Sequence, residues 1–205
     1  MYQIILASES PRRKEIMETM GIPYIVMTSN VEEITKETEP EKIVQALAVL
    51  KTGAIEDRLE EHEKQGLTLN NEDRIIIGAD TMVFYKDHAL GKPKDAKDAV
   101  KILRMLSDNT HEVITGVSII IFKDGKREQI SFAASTKVTV QPLTEEQIIE
   151  YIATGEPMDK AGAYAIQGKF GIFIRKIDGD YYNVMGLPIT KIYHTLLHRN
   201  IDIKN

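Results

Sequence analysis

The sequence has no cysteine, no surplus of positive charge and no long hydrophobic run. The missing cysteines exclude disulfides, thiolate zinc sites, cysteine-ligated iron–sulfur clusters and cysteine nucleophiles together. They fit a reducing, cytoplasmic setting. Lysine and arginine number 26 against 31 aspartates and glutamates, a formal net charge of −5. With a pI near 5.6, the chain is read as neither a nucleic-acid coat nor an anionic-membrane binder, because both need a strongly basic footprint. A small polyanionic ligand stays admissible, since it requires only a local cluster of cations. The run from Val117 to Phe122 stops at Lys123-Asp124, far short of the roughly 20 apolar residues of a membrane helix. The opening Met1-Tyr2-Gln3-Ile4-Ile5-Leu6-Ala7-Ser8 is too short and lacks the basic start of a signal peptide. A soluble protein is expected.

What is present suits one domain over residues 1–205. The apolar fraction is 42% and the charged fraction 28%, ordinary for a globular chain. The pattern predicts a buried strand from Gln3 to Ala7, then a helix with Ser10 at its N-cap and Pro11 at its first position, ending at Gly21. A second strand is expected over Pro23 to Thr28, and an acidic loop over 29–40. A long helix follows from Pro40 to about Lys64, with Ile43, Val44, Leu47, Leu50, Ala54 and Ile55 at helical spacing. The polar segment 65–73 interrupts the pattern.

Arg74 to Asp80 is an apolar run closed by an acid, the signature of a strand buried on both faces, and Thr81 to Tyr85 extends it. Asp95 to Leu106 reads as helix. Thr115 to Phe122 and Gln129 to Val140 flank Asp124-Gly125, a hairpin signal. Thr144-Glu145-Glu146-Gln147 is a capping box opening a helix to Ala153. Ile172 to Ile177 reads as strand, Asp178-Gly179 as turn and Leu187 to His198 as a last helix. Early alternation of helix and strand with a central antiparallel pair predicts an α/β fold with a mixed sheet.

Several clusters carry chemistry. Ser8-Glu9-Ser10-Pro11-Arg12-Arg13-Lys14 places hydroxyls and free N–H groups at a helix N-terminus, where anions are attracted. Two arginines in a first turn oppose the helix dipole, and a phosphate would turn that penalty into an attraction; solvated arginines are the alternative. In Gly78-Ala79-Asp80-Thr81, Asp80 closes the most apolar strand, at the carboxyl end where open sheets bind ligands. A carboxylate there holds Mg²⁺, orients a water, or simply caps a turn. Gly91-Lys92-Pro93 is no P-loop; its lysine reads first as a solvated turn residue, with contact to a phosphate as a point charge the alternative. Lys51 falls in line with Val44, Leu47, Ala48 and Ile55, so it must snorkel or find a partner. His194 and His198 stand four apart without the glutamate or third ligand of a zinc motif, and read as surface residues.

Taken together, these segments resemble the Maf proteins, nucleotide pyrophosphatases related in fold to the inosine-triphosphate pyrophosphatases. The resemblance is carried by Leu6-Ala7-Ser8-Glu9-Ser10-Pro11-Arg12-Arg13, Gly78-Ala79-Asp80-Thr81, Gly91-Lys92-Pro93 and Thr115-Gly116-Val117. It continues through Glu156-Pro157 with Asp159 to Tyr164, Ile166-Gln167-Gly168 and Gly186-Leu187-Pro188. These matches stand in family order along nearly the whole chain.

The resemblance implies a mixed, twisted sheet flanked by helices, two-lobed with a central cleft. It implies hydrolysis of a nucleoside triphosphate to the monophosphate and pyrophosphate with a divalent metal, Mg²⁺ or Mn²⁺. By carry-over, Ser8, Arg12, Arg13, Lys51 and Lys92 bind the triphosphate. Asp80 is the catalytic carboxylate, as base or metal ligand, and Glu33 is a second, metal-associated acid. Arg12, Thr81 and Gln167 match positions linked to base selection, and Tyr164-Ala165-Ile166-Gln167-Gly168 is similar to the dTTP/UTP branch. Modified or non-canonical nucleotides are the alternative substrates. A nucleotide-sensing, division-regulating binding module is the reading from another class, and a homodimer is compatible with either. Two departures stand out: Glu9, where a small or amide residue is commoner, and a longer segment over 56–73.

Overall fold

In the computed structural model, which describes residues 2–64, 73–86 and 88–204, the chain builds an α/β fold on one mixed seven-stranded sheet flanked by helices. The first elements are β1 (Gln3–Leu6), α1 (Pro11–Thr19), β2 (Ile25–Val26) and α2 (Pro40–Lys64). They are followed by β3 (Arg74–Tyr85), β4 (His88–Leu90), α3 (Ala96–Leu106), β5 (Thr110–Lys123) and β6 (Lys126–Val140). The last are α4 (Glu145–Ala153), β7 (Ile174–Asp178), α5 (Tyr181–Met185) and α6 (Ile189–Leu197). The strand order is β2-β1-β3-β5-β6-β7, with β4 paired to β3. Most of segment 65–73 lies outside the described residues.

Two compact units are present. The first comprises Met1–Asp80, Thr115–Ala134 and Gly186–Asn205. Its β1 pairs in parallel with β2 and with the first half of β3, Ile5 opposite both Ile25 and Ile76. Ile75, Ile76 and Ile77 are fully buried, as the unbroken apolar run requires of a strand covered on both faces. The long helix α2 supplies one cover through Val44, Ala48 and Ile55. Two glycines let it come close. A Cβ on Gly116 would stand 2.2 Å from the Val44 carbonyl, and one on Gly78 would stand 2.7 Å from the Thr52 methyl. Thr52 then bonds Ser118 at 2.8 Å between hydroxyl oxygens.

The second unit comprises Thr81–Ile114 and Ser135–Met185. Its core gathers Ala99, Leu103 and Leu106 of α3, Ile148 and Tyr151 of α4, Val138 and Val140 of β6, and Phe170. Asp95 caps α3 by accepting from the Asp98 N–H, and the Thr144–Gln147 capping box opens α4 with both reciprocal bonds in place.

Some boundaries differ from the sequence reading. The strand expected over Pro23–Thr28 contracts to two exposed edge residues, Ile25 and Val26. Ile172 and Phe173 belong to a 3-10 turn over Lys169–Phe173, not to a strand, because burial of Phe170 winds the chain there and leaves Ile172 exposed. The last helix starts at Ile189, since Pro188 occupies its N-cap. His194 and His198 lie exposed on it.

Candidate active site

Four of the elements around the first unit's buried strands deliver charged groups to one place. β1 ends at Leu6 and the chain turns into α1 with Pro11 at its first position. Within that turn the Ser8 hydroxyl accepts the Ser10 N–H at 3.2 Å and an Nη1–H of Arg13 at 2.9 Å. Arg13 also donates from Nε to the Gly186 carbonyl at 2.7 Å, across 173 residues of sequence. Its guanidinium is therefore turned into the protein instead of projecting from the helix. Burial draws its pKa down to about 10, against the pull of Asp80 and Glu33 and with a push from Arg12. It stays a full cation at neutral pH. Arg12, beside it, is only partly buried.

Lys51 comes from the middle of α2, on the face that buries Val44, Leu47, Ala48 and Ile55. The partner its position demands is an acid. Its Nζ lies 2.6 Å from Asp80 Oδ1 and 3.1 Å from Glu33 Oε1. The Lys51 and Asp80 side chains are only 13% and 11% exposed, whereas Glu33 is 53% exposed. The strong arm of this bridge is thus the Lys51–Asp80 pair, held away from bulk water.

Ser8, Arg13, Glu33, Lys51 and Asp80 therefore belong to one charged cluster. Thr81, Lys92 and Gln167 lie in the second unit: Thr81 follows Asp80 on β3, and Lys92 is exposed in the loop after β4. Gln167 is exposed at a turn closed by the Gly168 N–H on the Ala165 carbonyl at 3.2 Å.

The donor set bears on a divalent metal. The carboxylates of Asp80 and Glu33 converge on the Lys51 ammonium, within the field of the Arg13 guanidinium. Among the described residues no group of three or more His, Asp or Glu forms a metal cage. Two carboxylates without a cage suit a hard cation that completes its shell with substrate phosphate oxygens and water, as Mg²⁺ commonly does. Glu33 and Asp80 are the residues that would hold it.

Sequence reasoning did not assign the Gly186 carbonyl as the acceptor for Arg13, nor Gly78 and Gly116 as the reason α2 seats Lys51 against Asp80. The signals were present as Gly186-Leu187-Pro188 and Thr115-Gly116, but a backbone acceptor and a missing Cβ leave no chemical mark of their own.

The family model of Maf-like proteins matches residues 3–199. A dTTP/UTP pyrophosphatase of Lachnoclostridium phytofermentans is 49% identical over 204 residues, covering 99% of this chain and 98% of that one. Proteins of the same name from Bacillus cereus and Agathobacter rectalis are 46% and 45% identical, each over 99% of this chain and over 98% and 100% of their own lengths. With a match of that length and identity throughout, the chain belongs to the family of Maf-like proteins.

Proposed function

We propose that this protein hydrolyses dTTP and UTP to the monophosphate and pyrophosphate with a divalent metal, working as a single domain on free nucleotides in the cytoplasm. The observation that carries the reading is the Lys51 ammonium joining Asp80 and Glu33, in the unit where Ser8 precedes α1 and Arg12 and Arg13 stand in its first turn. Relatives named dTTP/UTP pyrophosphatases at 45–49% identity support the substrate.

The reaction needs water delivered to phosphorus while a polyanion is neutralised, so positioning and charge dominate. Asp80 orients the attacking water and accepts its proton, and the α–β phosphoanhydride breaks with pyrophosphate as leaving group. Lys51 fixes the carboxylate through Oδ1. An ammonium has three donors, and the two acids take two, which leaves a third for a phosphate oxygen. Arg12 and Lys92 contact the phosphates directly, while buried Arg13 with Ser8 supplies a fixed positive field at the start of α1. Glu33 and Asp80 would hold a divalent metal, which would neutralise phosphate charge. Arg12, Thr81 and Gln167 select the base.

The test incubates purified protein with dTTP and Mg²⁺ or Mn²⁺ and identifies products by ion-exchange chromatography. Equal release of dTMP and pyrophosphate is expected, abolished by excess chelator. Release of orthophosphate with dTDP, or no turnover of any canonical or modified triphosphate, overturns the reading.

A further inference from the structure

The turn that carries Gln167 is gripped from both sides by two side chains of the same unit. Just before the tip, the Ala165 N–H donates to the phenol oxygen of Tyr151 at 3.3 Å. Just after it, the Lys169 N–H donates to Glu156 Oε2 at 3.1 Å. Tyr151 closes the circuit by donating its O–H to Glu156 Oε1 at 2.8 Å. Gly168, next to Gln167, lies flat against that carboxylate: a Cβ there would stand 2.3 Å from Glu156 Oε1.

The clamp is anchored in the core. Tyr151, on the inner face of α4, is 4% exposed, and its ring packs tilted against Phe170 with centroids 4.9 Å apart. Burial and the neighbouring Glu156 push its phenol pKa upward, so the O–H stays a donor at neutral pH. Glu156 opens a 3-10 turn, Glu156–Asp159, whose Pro157 is buried. The exposed tip thus hangs from two rigid side chains at residues 165 and 169, while Gln167 stands between them.

We propose that Tyr151 and Glu156 are positioning residues that fix the presentation of Gln167 and through it the preference for thymine and uracil. The proposal rests on the reading of Gln167 as a base-selecting residue. The direction of a side chain on a turn follows the backbone that carries it, and these two bonds hold that backbone at residues 165 and 169. Releasing either end shifts the backbone that carries Gln167, and a geometry-dependent hydrogen bond is weakened first.

The experiment measures kcat and KM for dTTP and dCTP in full-length Tyr151→Phe, Glu156→Gln, Gln167→Ala and Tyr151→Phe/Gln167→Ala proteins, with thermal melts alongside. Loss of one hydrogen bond's worth of discrimination lowers the dTTP:dCTP ratio of kcat/KM about 5- to 10-fold. The expected loss sits in KM for dTTP, appears in Tyr151→Phe and Glu156→Gln alike, and is not deepened when Tyr151→Phe is added to Gln167→Ala. Glu156→Gln keeps the shape but only one of the two acceptor oxygens that the clamp uses, so it carries the comparison if Tyr151→Phe melts early.

A normal ratio in both clamp variants, with the ratio changed in Gln167→Ala, overturns the clamp and leaves the base-reading intact. Equal loss on both nucleotides also overturns it, by showing a merely structural role. An unchanged ratio in Gln167→Ala shows instead that the base-reading fails, and the proposal falls with it.

Discussion

Lys51 and Asp80, 29 residues apart, meet through an ion pair of 2.6 Å in which each side chain is nearly nine-tenths buried. One comes from the middle of a helix and the other from the end of the apolar half of β3. They can meet because Gly78 and Gly116 present no Cβ to α2. The pair therefore joins packing to chemistry: the glycines that let the core close also seat the charged groups.

Replacing Lys51 by Met leaves Asp80 buried without its ion-pair partner, opposed only by the field of Arg13. Breaking a buried pair from one side costs about 3–5 kcal/mol, while the half-exposed Glu33 arm contributes under about 1 kcal/mol. A destabilisation of ~2–4 kcal/mol is expected by urea denaturation. Lys51→Met/Asp80→Asn should regain at least half of it, without regaining activity. A cost under about 1 kcal/mol for the single variant would show that the pair is hydrated and does not hold the fold.

Asp80→Asn keeps the side chain's shape and an acceptor for Lys51, whose charge stays paired with Glu33, so the fold is expected to persist at reduced stability. Removing the proton acceptor should lower kcat for dTTP hydrolysis about 10²- to 10⁴-fold. Nucleotide binding, followed by calorimetry, should survive. If hydrolysis persists within tenfold of wild type, Asp80 takes no part in the chemistry. If hydrolysis is lost while a cellular phenotype persists, binding is the physiological role.

The two glycines should differ in their tolerance. Alanine at Gly116 drives a Cβ into the backbone of Val44 and Gln45, at 2.2 and 2.5 Å, and neither can move without shifting the helix. Alanine at Gly78 meets a methyl at 2.7 Å and the Ala48 carbonyl at 3.1 Å. Overpacking a closed core costs about 1–3 kcal/mol. Gly116→Ala should reach or exceed the top of that range and Gly78→Ala fall within it, both lowering activity by displacing Lys51. Equal melting temperatures for the two variants would contradict this geometry.

Much of this is legible in the sequence. The apolar face of α2 marked Lys51 as a residue that must snorkel or find a partner, and the acid ending β3 marked Asp80. The chain order of motifs gave the family. What stayed hidden depends on distance in space. Nothing in Gly186-Leu187-Pro188 says that its carbonyl receives Arg13, and the first-turn arginines read alike although one is buried and the other only partly so. The strand expected at Ile172 failed because one buried aromatic, Phe170, outweighed a β-prone run. Local propensity sees neither effect.

His111 should make the protein acid-sensitive. It lies on β5, 3% exposed, with Nε2 2.7 Å from the Tyr164 hydroxyl and Nδ1 without a partner among the described residues. Burial pushes its pKa from 6.5 down to about 4. Between those values the unfolded chain binds a proton that the folded chain refuses, so stability falls as pH drops through that window. It is fully present above pH 6.5 and falls no further from this group below pH 4. A shift of that size corresponds to ~3 kcal/mol. Denaturant unfolding of wild type and His111→Phe at pH 7 and pH 4.5 isolates the effect, because the other groups titrate alike in both proteins. Wild type should lose ~2–3 kcal/mol more than the variant between the two pH values. Identical losses would mean that His111 is protonated in the fold, with Nδ1 finding an acceptor, and that its burial carries no acid lability.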